Sequence, residues 1–190
     1  MELKPGYLAA TAAIALLAFS LGLWIGRLPI TTLEEAAKLA PLGTAIIASC
    51  AAVIAAIAVF IQRDTAKRRA SIDFFLKTET DDGLISAYNK FRALIPKIPV
   101  IIARPTLSEA DEDYQTLRKW LNLCELIAVG VNLGAFSDKV SYDYWGYVLS
   151  DTFNDSKHFI EHIRRTPGLG GPMTFCDLEK LSNRWSKKSS

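Results

Sequence analysis

The sequence predicts an all-α protein: an N-terminal two-helix transmembrane hairpin followed by a cytoplasmic helical bundle. Three observations carry this. Two uncharged apolar stretches, Leu8 to Gly26 and Leu42 to Ile61, lie close together near the N-terminus. Four cations, Arg63, Lys67, Arg68 and Arg69, follow the second within two helical turns. Beyond them, apolar residues recur at helical spacing and no alternating strand pattern interrupts them.

Each apolar stretch is long enough, at about 1.5 Å per residue, to match a hydrocarbon core about 30 Å thick. A cleavable signal peptide would be shorter and would end in small residues; here the first run ends Gly22-Leu-Trp-Ile-Gly26-Arg27, with Trp24 placed as an interfacial anchor. The loop from Arg27 to Pro41 carries Glu34 and Glu35 beside Arg27 and Lys38. Lys4 and the cluster after Ile61 therefore put both termini in the cytoplasm by the positive-inside rule. No Asp, Glu, Lys, Arg or His occurs within either span, which argues against proton relays, ion-coupled transport and charged selectivity rings.

The domain plan that results is a hairpin over 1–61 with spans 8–26 and 42–61, a basic helical stalk over 62–78, a cytoplasmic domain over 79–186 and a short tail over 187–190. In a 190-residue chain of net charge +2, half of it hydrophobic, that leaves enough chain for one soluble core. Cys50, Cys124 and Cys176 show no metal-ligand or redox spacing.

The stalk carries Ile72, Phe75 and Leu76 to meet the domain. Thr80, Asp81 and Asp82 start the next helix, whose face is Leu84, Ala87, Tyr88, Phe91, Leu94 and Ile95. Pro96, Pro99 and Pro105 predict a non-helical segment. Ser108-Glu-Ala-Asp111 reads as a capping box that opens a helix running to Leu133, with Gly134 as terminator. Tyr114, Leu117, Leu121, Cys124, Ala128 and Val131 share its face, and Trp120, Leu123 and Ile127 widen the stripe, so it should be the most buried helix. Ser137-Asp138 starts another, with Val140, Tyr144, Val148 and Leu149 inward and a break near Asn154-Asp155 before Phe159 and Ile163. Pro167 to Pro172 forms a loop, and Thr174 caps a last helix through Trp185.

Three features could carry function. His158-Phe-Ile-Glu161-His162 has the H-x-x-E-H order of inverted zinc proteases, and two histidines at i and i+4 share a helix face. Such proteases take a third protein ligand from a long downstream region and only 28 residues follow His162, so the plainer reading is a solvated helix face and no metal, cofactor or catalytic residue is assigned. Asn122 and Glu125 stand one turn apart in the most apolar helix, where a buried network would fix packing and Glu125 would meet Arg69, Arg92 or Arg164. Ala18, Gly22 and Gly26 on the first span, and Thr44, Ala48, Ala52 and Ala56 on the second, form small-residue rows that let membrane helices approach closely and self-associate. The cations Arg63, Lys67, Arg68 and Arg69 suit anionic lipid headgroups, each worth about 1 kcal/mol, rather than a nucleic-acid site.

The run Arg69-Ala-Ser-Ile-Asp73-Phe74, then Tyr88-Asn-Lys-Phe91, then Leu121-Asn122-x-x-Glu125-x-Ile127-Ala128-x-Gly130, with Trp145, Ile163-Arg164 and Leu178 to Trp185, resembles a family of bacterial membrane-anchored helical domains of unknown function found in prophages and defence islands. The resemblance covers about Lys67 to Trp185 and implies no catalytic residues. In size and architecture the chain is similar to the two-transmembrane effector of a retron anti-phage system. That likeness implies an effector restrained by a reverse transcriptase and its RNA–DNA product, which on release oligomerises in the bilayer and permeabilises it in abortive infection. The rival reading is a membrane-anchored interaction module without toxicity.

Overall fold

A computed structural model describes residues 33–105 and 107–188; side chains are described from Pro41 onward, except Leu42. The described residues are helical, without strands. The first span, with Ala18, Gly22 and Gly26, lies outside them, so the described fold contains one apolar helix rather than a hairpin. The chain divides into two compact units, Met1–Asp64 and Thr65–Ser190.

Helix α1 spans Leu33–Glu79. The turn expected through Pro41 is replaced by helix that starts at least nine residues before the second apolar run, with Pro41 inside it. Proline removes one backbone donor there, and the Ala- and Leu-rich residues on both sides carry the helix past it. From Gly43 onward this helix is long and apolar enough to cross a membrane. Its most apolar 18-residue window has mean hydropathy 2.6, and none of that window is buried.

The second unit is built on the last turns of α1 and on α2 (Asp82–Leu94), α3 (Ile98–Ile102), α4 (Glu112–Asn132), α5 (Asp138–Arg165) and α6 (Cys176–Ser186). On α1, Ser71, Phe75 and Thr78 are buried and Phe74 is half-buried, the i, i+3, i+4, i+7 face of one helix. Ile72 and Leu76, expected to join Phe75, point outward. The Ser71 hydroxyl donates to the Lys67 carbonyl at 2.7 Å and accepts the Ser137 backbone N–H at 2.8 Å, while Phe74 rests on Phe136 with ring centroids 5.2 Å apart. Inside, a run of aromatic contacts links four helices: Phe75 to Trp145 (5.9 Å), Trp145 to Trp120 (5.8 Å), and Trp120 to Tyr88 (4.9 Å) and Phe91 (6.0 Å). The Trp120 indole N–H meets the Thr152 hydroxyl at 3.2 Å, which satisfies its one polar atom inside the core.

Helix boundaries follow local capping chemistry, with four departures from expectation. Asp81 and Ser137 cap α2 and α5 through their side chains. The proline segment is helical after all: Pro96 and Pro99 each sit in the first turn of a short helix, Ile95–Lys97 (3-10) and Ile98–Ile102, where a missing N–H is harmless. Helix α4 opens at Glu112 rather than at Ser108, because the Asp111 carboxylate accepts the Tyr114 N–H and the residues before it turn instead. Helix α5 runs unbroken through Asn154 and Asp155; Thr152, Phe153 and Ser156 are all buried, and the packing on both sides of the pair overrides its weak helix preference. Thr174 does not cap α6. Its hydroxyl accepts the Gly171 N–H, and the residue before the helix is Phe175, left-handed at φ 59° and buried.

The face read on α4 is the centre of this core: Tyr114, Leu117, Leu121, Cys124, Ala128 and Val131 are all buried, as are Trp120 and Ile127. Burial pushes the Cys124 thiol far above its usual titration range, which makes it an inert core residue.

At the start of α5, Asp138 gathers residues of and after α6. Its carboxylate accepts from Arg184, the Trp185 indole N–H (3.1 Å) and Lys188. Partial burial would raise its pKa, but the hydrogen bonds from Lys188 and Trp185 outweigh that and hold the carboxyl below the usual range. A depressed folded pKa gives stability that is present above the unfolded value and is lost as pH falls through the folded one. The urea midpoint of the full chain should therefore drop as the buffer is taken below about pH 4, and Asp138→Asn should flatten that drop. An unchanged acid limb in the variant would contradict the assignment.

Candidate functional site

Of the residues singled out in the sequence, Glu125 has the most specific surroundings. Both its oxygens reach the start of α6: one accepts the Asp177 N–H at 3.1 Å, the other the Leu178 N–H at 2.7 Å. These are free donors of the first turn of a helix whose own flanking residue, Phe175, supplies no capping side chain. A carboxylate from α4 thus caps α6 from another part of the chain, where the helix dipole favours negative charge. None of Arg69, Arg92 and Arg164 pairs with it: Arg92 pairs with Asp155 at 3.0 Å and Arg164 with Glu179 at 2.8 Å.

Further ties hold the same junction. Asn132 donates to the Asp177 carbonyl (3.2 Å) and carboxylate (2.9 Å), and Arg164 donates to the Thr174 carbonyl at 2.8 Å. Asn122 does not join; it is exposed, and Asn132, three turns further along α4, holds the place expected of it. Sequence reasoning missed Asn132 because a polar residue at a helix end reads as a cap.

Ligand atoms of Glu125, Cys176 and Asp177 lie within 4.8 Å of one another, the metal-sized group of acidic, His and Cys side chains among the described residues. Both Glu125 oxygens and one Asp177 oxygen already accept protein N–H groups at the positive end of α6, so this arrangement suits a structural cap better than a cation. His158, Glu161 and His162 do not converge in this way: His158 is exposed, and His162 stands 3.4 Å from the Thr166 hydroxyl.

On α1, Thr44, Ala48, Ala52 and Ala56 are all exposed. Arg63, Arg68 and Arg69 are exposed too, whereas Lys67 is half-buried with its ammonium beside Gly134.

The fold and these features define a helical domain that carries, among the described residues, one helix long and apolar enough to cross a membrane. Residues 45–185 match a family described as a domain of unknown function (DUF4760), and the chain belongs to that family. No curated protein and no solved structure matches it. The match begins inside the apolar segment of α1, earlier than the resemblance near Lys67.

The motif Leu121-Asn-x-x-Glu125-x-Ile127-Ala128-x-Gly130 now has physical content. Leu121, Ile127 and Ala128 are core residues, and Glu125 caps α6. At Gly130 an added Cβ would fall 2.5 Å from the Phe136 ring, which folds back over the helix as Phe136 N–H bonds the Gly130 carbonyl at 3.0 Å. Asn122 has no structural account of this kind.

Proposed function

We propose that the chain is an inner-membrane effector whose helical domain controls its membrane helices, of the retron anti-phage type, with both termini in the cytoplasm. One observation carries this reading. The helix that holds the unburied apolar segment also supplies Phe75, 1% exposed, to the core of the helical unit. A rearrangement in that core acts on the same α-helix that would lie in the bilayer. On this reading the small residues Thr44, Ala48, Ala52 and Ala56, with Ala18, Gly22 and Gly26 of the preceding span, mediate assembly, and the exposed cations after Ile61 meet anionic headgroups. A cytoplasmic partner, a reverse transcriptase with its RNA–DNA product, holds the domain in its inactive arrangement, and loss of that restraint allows oligomers to breach the membrane. No catalytic step is assigned.

Expression of the chain without its restraining partner should collapse the membrane potential of a bacterial host and stop growth, read with a voltage-sensitive dye. Deleting residues 42–61 should abolish both effects. Growth and potential that stay normal at full expression, with the protein in the membrane fraction, would instead support the non-toxic anchored module.

A further inference from the structure

A pocket of about 250 Å³ opens beside the C-terminal end of α1. Four aromatic side chains line it, Tyr88, Trp120, Tyr144 and Trp145, together with Glu79 at the helix end. Trp120 and Trp145 are stacked and almost wholly buried, so they form a fixed floor, while Tyr144 is 52% exposed at the rim and offers an accessible ring. Tyr144 was expected in the core; the pocket is the reason it is not.

Glu79 is the one charged side chain that lines the pocket. The last carbonyls of a helix carry the negative end of its dipole, and here the Thr80 hydroxyl serves those of Leu76 and Lys77 while Thr78 and Glu79 line the pocket. Glu79 adds a full negative charge at the same end. Aromatic faces attract cations as well. A purely apolar occupant would strip water from the carboxylate and return nothing, and a polyanion would be repelled.

A second groove, about 600 Å³, shares Tyr144 and continues along α5 past Tyr147 and Asp151. Tyr147 is 81% exposed, and the neighbouring Asp151 raises the pKa of its phenol. Exposed tyrosines beside a small fixed pocket are the composition of a protein-docking surface with one anchor position. The extended groove is more than a free small cation would need.

We propose that this pocket and groove dock a basic segment of a protein partner, with one arginine side chain stacked on Tyr144 and paired with Glu79. Arginine fits better than lysine because its planar guanidinium stacks on rings while its edge pairs with a carboxylate. This deepens the reading of the helical unit as a control element and rests on it only in requiring a partner. It gives that partner a chemistry: contact here is through protein, and any nucleic acid it carries lies elsewhere.

The test uses the full chain in detergent micelles, with the fluorescence of its tryptophans as the reporter. One probe is a capped tetrapeptide with a central arginine. The other carries citrulline, which keeps the shape and removes the charge. The arginine peptide should half-saturate at a concentration about tenfold lower than the citrulline peptide. Glu79→Gln should bring the two within about twofold, and Tyr144→Ala should weaken both; each residue is exposed, so both variants should keep their fold. Equal binding of the two peptides, an undiminished preference in Glu79→Gln, or no response to either peptide would overturn the proposal. So would a response to a single-stranded oligonucleotide in their place. Because no toxicity enters this measurement, its failure leaves the membrane reading standing, and a failed depolarisation experiment leaves the docking site standing.

Discussion

Replacing Glu125 with Ala should destabilise the helical unit by about 2–3 kcal/mol, the range expected when a charged acceptor of two backbone N–H groups is lost. The carboxylate is the cap that α6 otherwise lacks, since Phe175 is left-handed and offers no side-chain acceptor. Glu125→Gln should fall between the two, because an amide keeps one acceptor oxygen and loses both the second acceptor and the charge facing the helix dipole. Thermal unfolding of the full chain by near-ultraviolet circular dichroism would read the series, with Trp185 on α6 and Tyr142 on α5 in edge-to-face contact at 5.5 Å as part of the signal. Equal stability of all three proteins would show that the cap contributes nothing. A control substitution, Asn122→Ala, should be silent within about 0.5 kcal/mol, since that residue is exposed.

The second large effect concerns α1. Ala52→Leu should abolish depolarisation in cells while leaving expression, membrane insertion and helicity intact. Leucine is as compatible with lipid as alanine and nearly as good a helix former, so what changes is bulk at a position where helices would need to approach closely. Gly22→Leu should act alike on the preceding span. Full toxicity in both variants would remove close helix packing from the mechanism and leave the apolar segment as an anchor.

Several elements could be read directly from the residues. The buried face of α4 was legible residue by residue, because six apolar positions at 3-and-4 spacing, all buried, leave little room for another arrangement; its first turn was not. Ser137 was legible as a cap for the same local reason. Where two signals lay close, the earlier one was expected to act: Ser108 and Asp111 both carry capping side chains, and it is Asp111 that takes the role through the Tyr114 N–H. Three prolines in ten residues suggested broken chain, yet two of them fall in first helical turns, which only the helix register reveals.

The partner of Glu125 was beyond sequence reasoning in kind. A carboxylate in an apolar helix calls for a cation when only side chains are considered. Its actual partners are backbone donors 52 and 53 residues away, exposed because Phe175 adopts a backbone conformation that its residue type does not advertise. The aromatic pocket was hidden likewise. Tyr88, Trp120 and Tyr144 each read as core by spacing, and the opening among them and Trp145 depends on how α1, α2, α4 and α5 meet.

The central claim is that this chain itself breaches a bilayer through close packing of its membrane helices. Dye release from vesicles of bacterial polar lipids reconstituted with the purified full chain tests it most directly. The wild-type protein should release the dye without any other component, and Ala52→Leu at equal incorporation should slow release by about tenfold or more, the equivalent of ~1.4 kcal/mol in assembly. Vesicles that stay sealed with the wild-type protein inserted would contradict the claim.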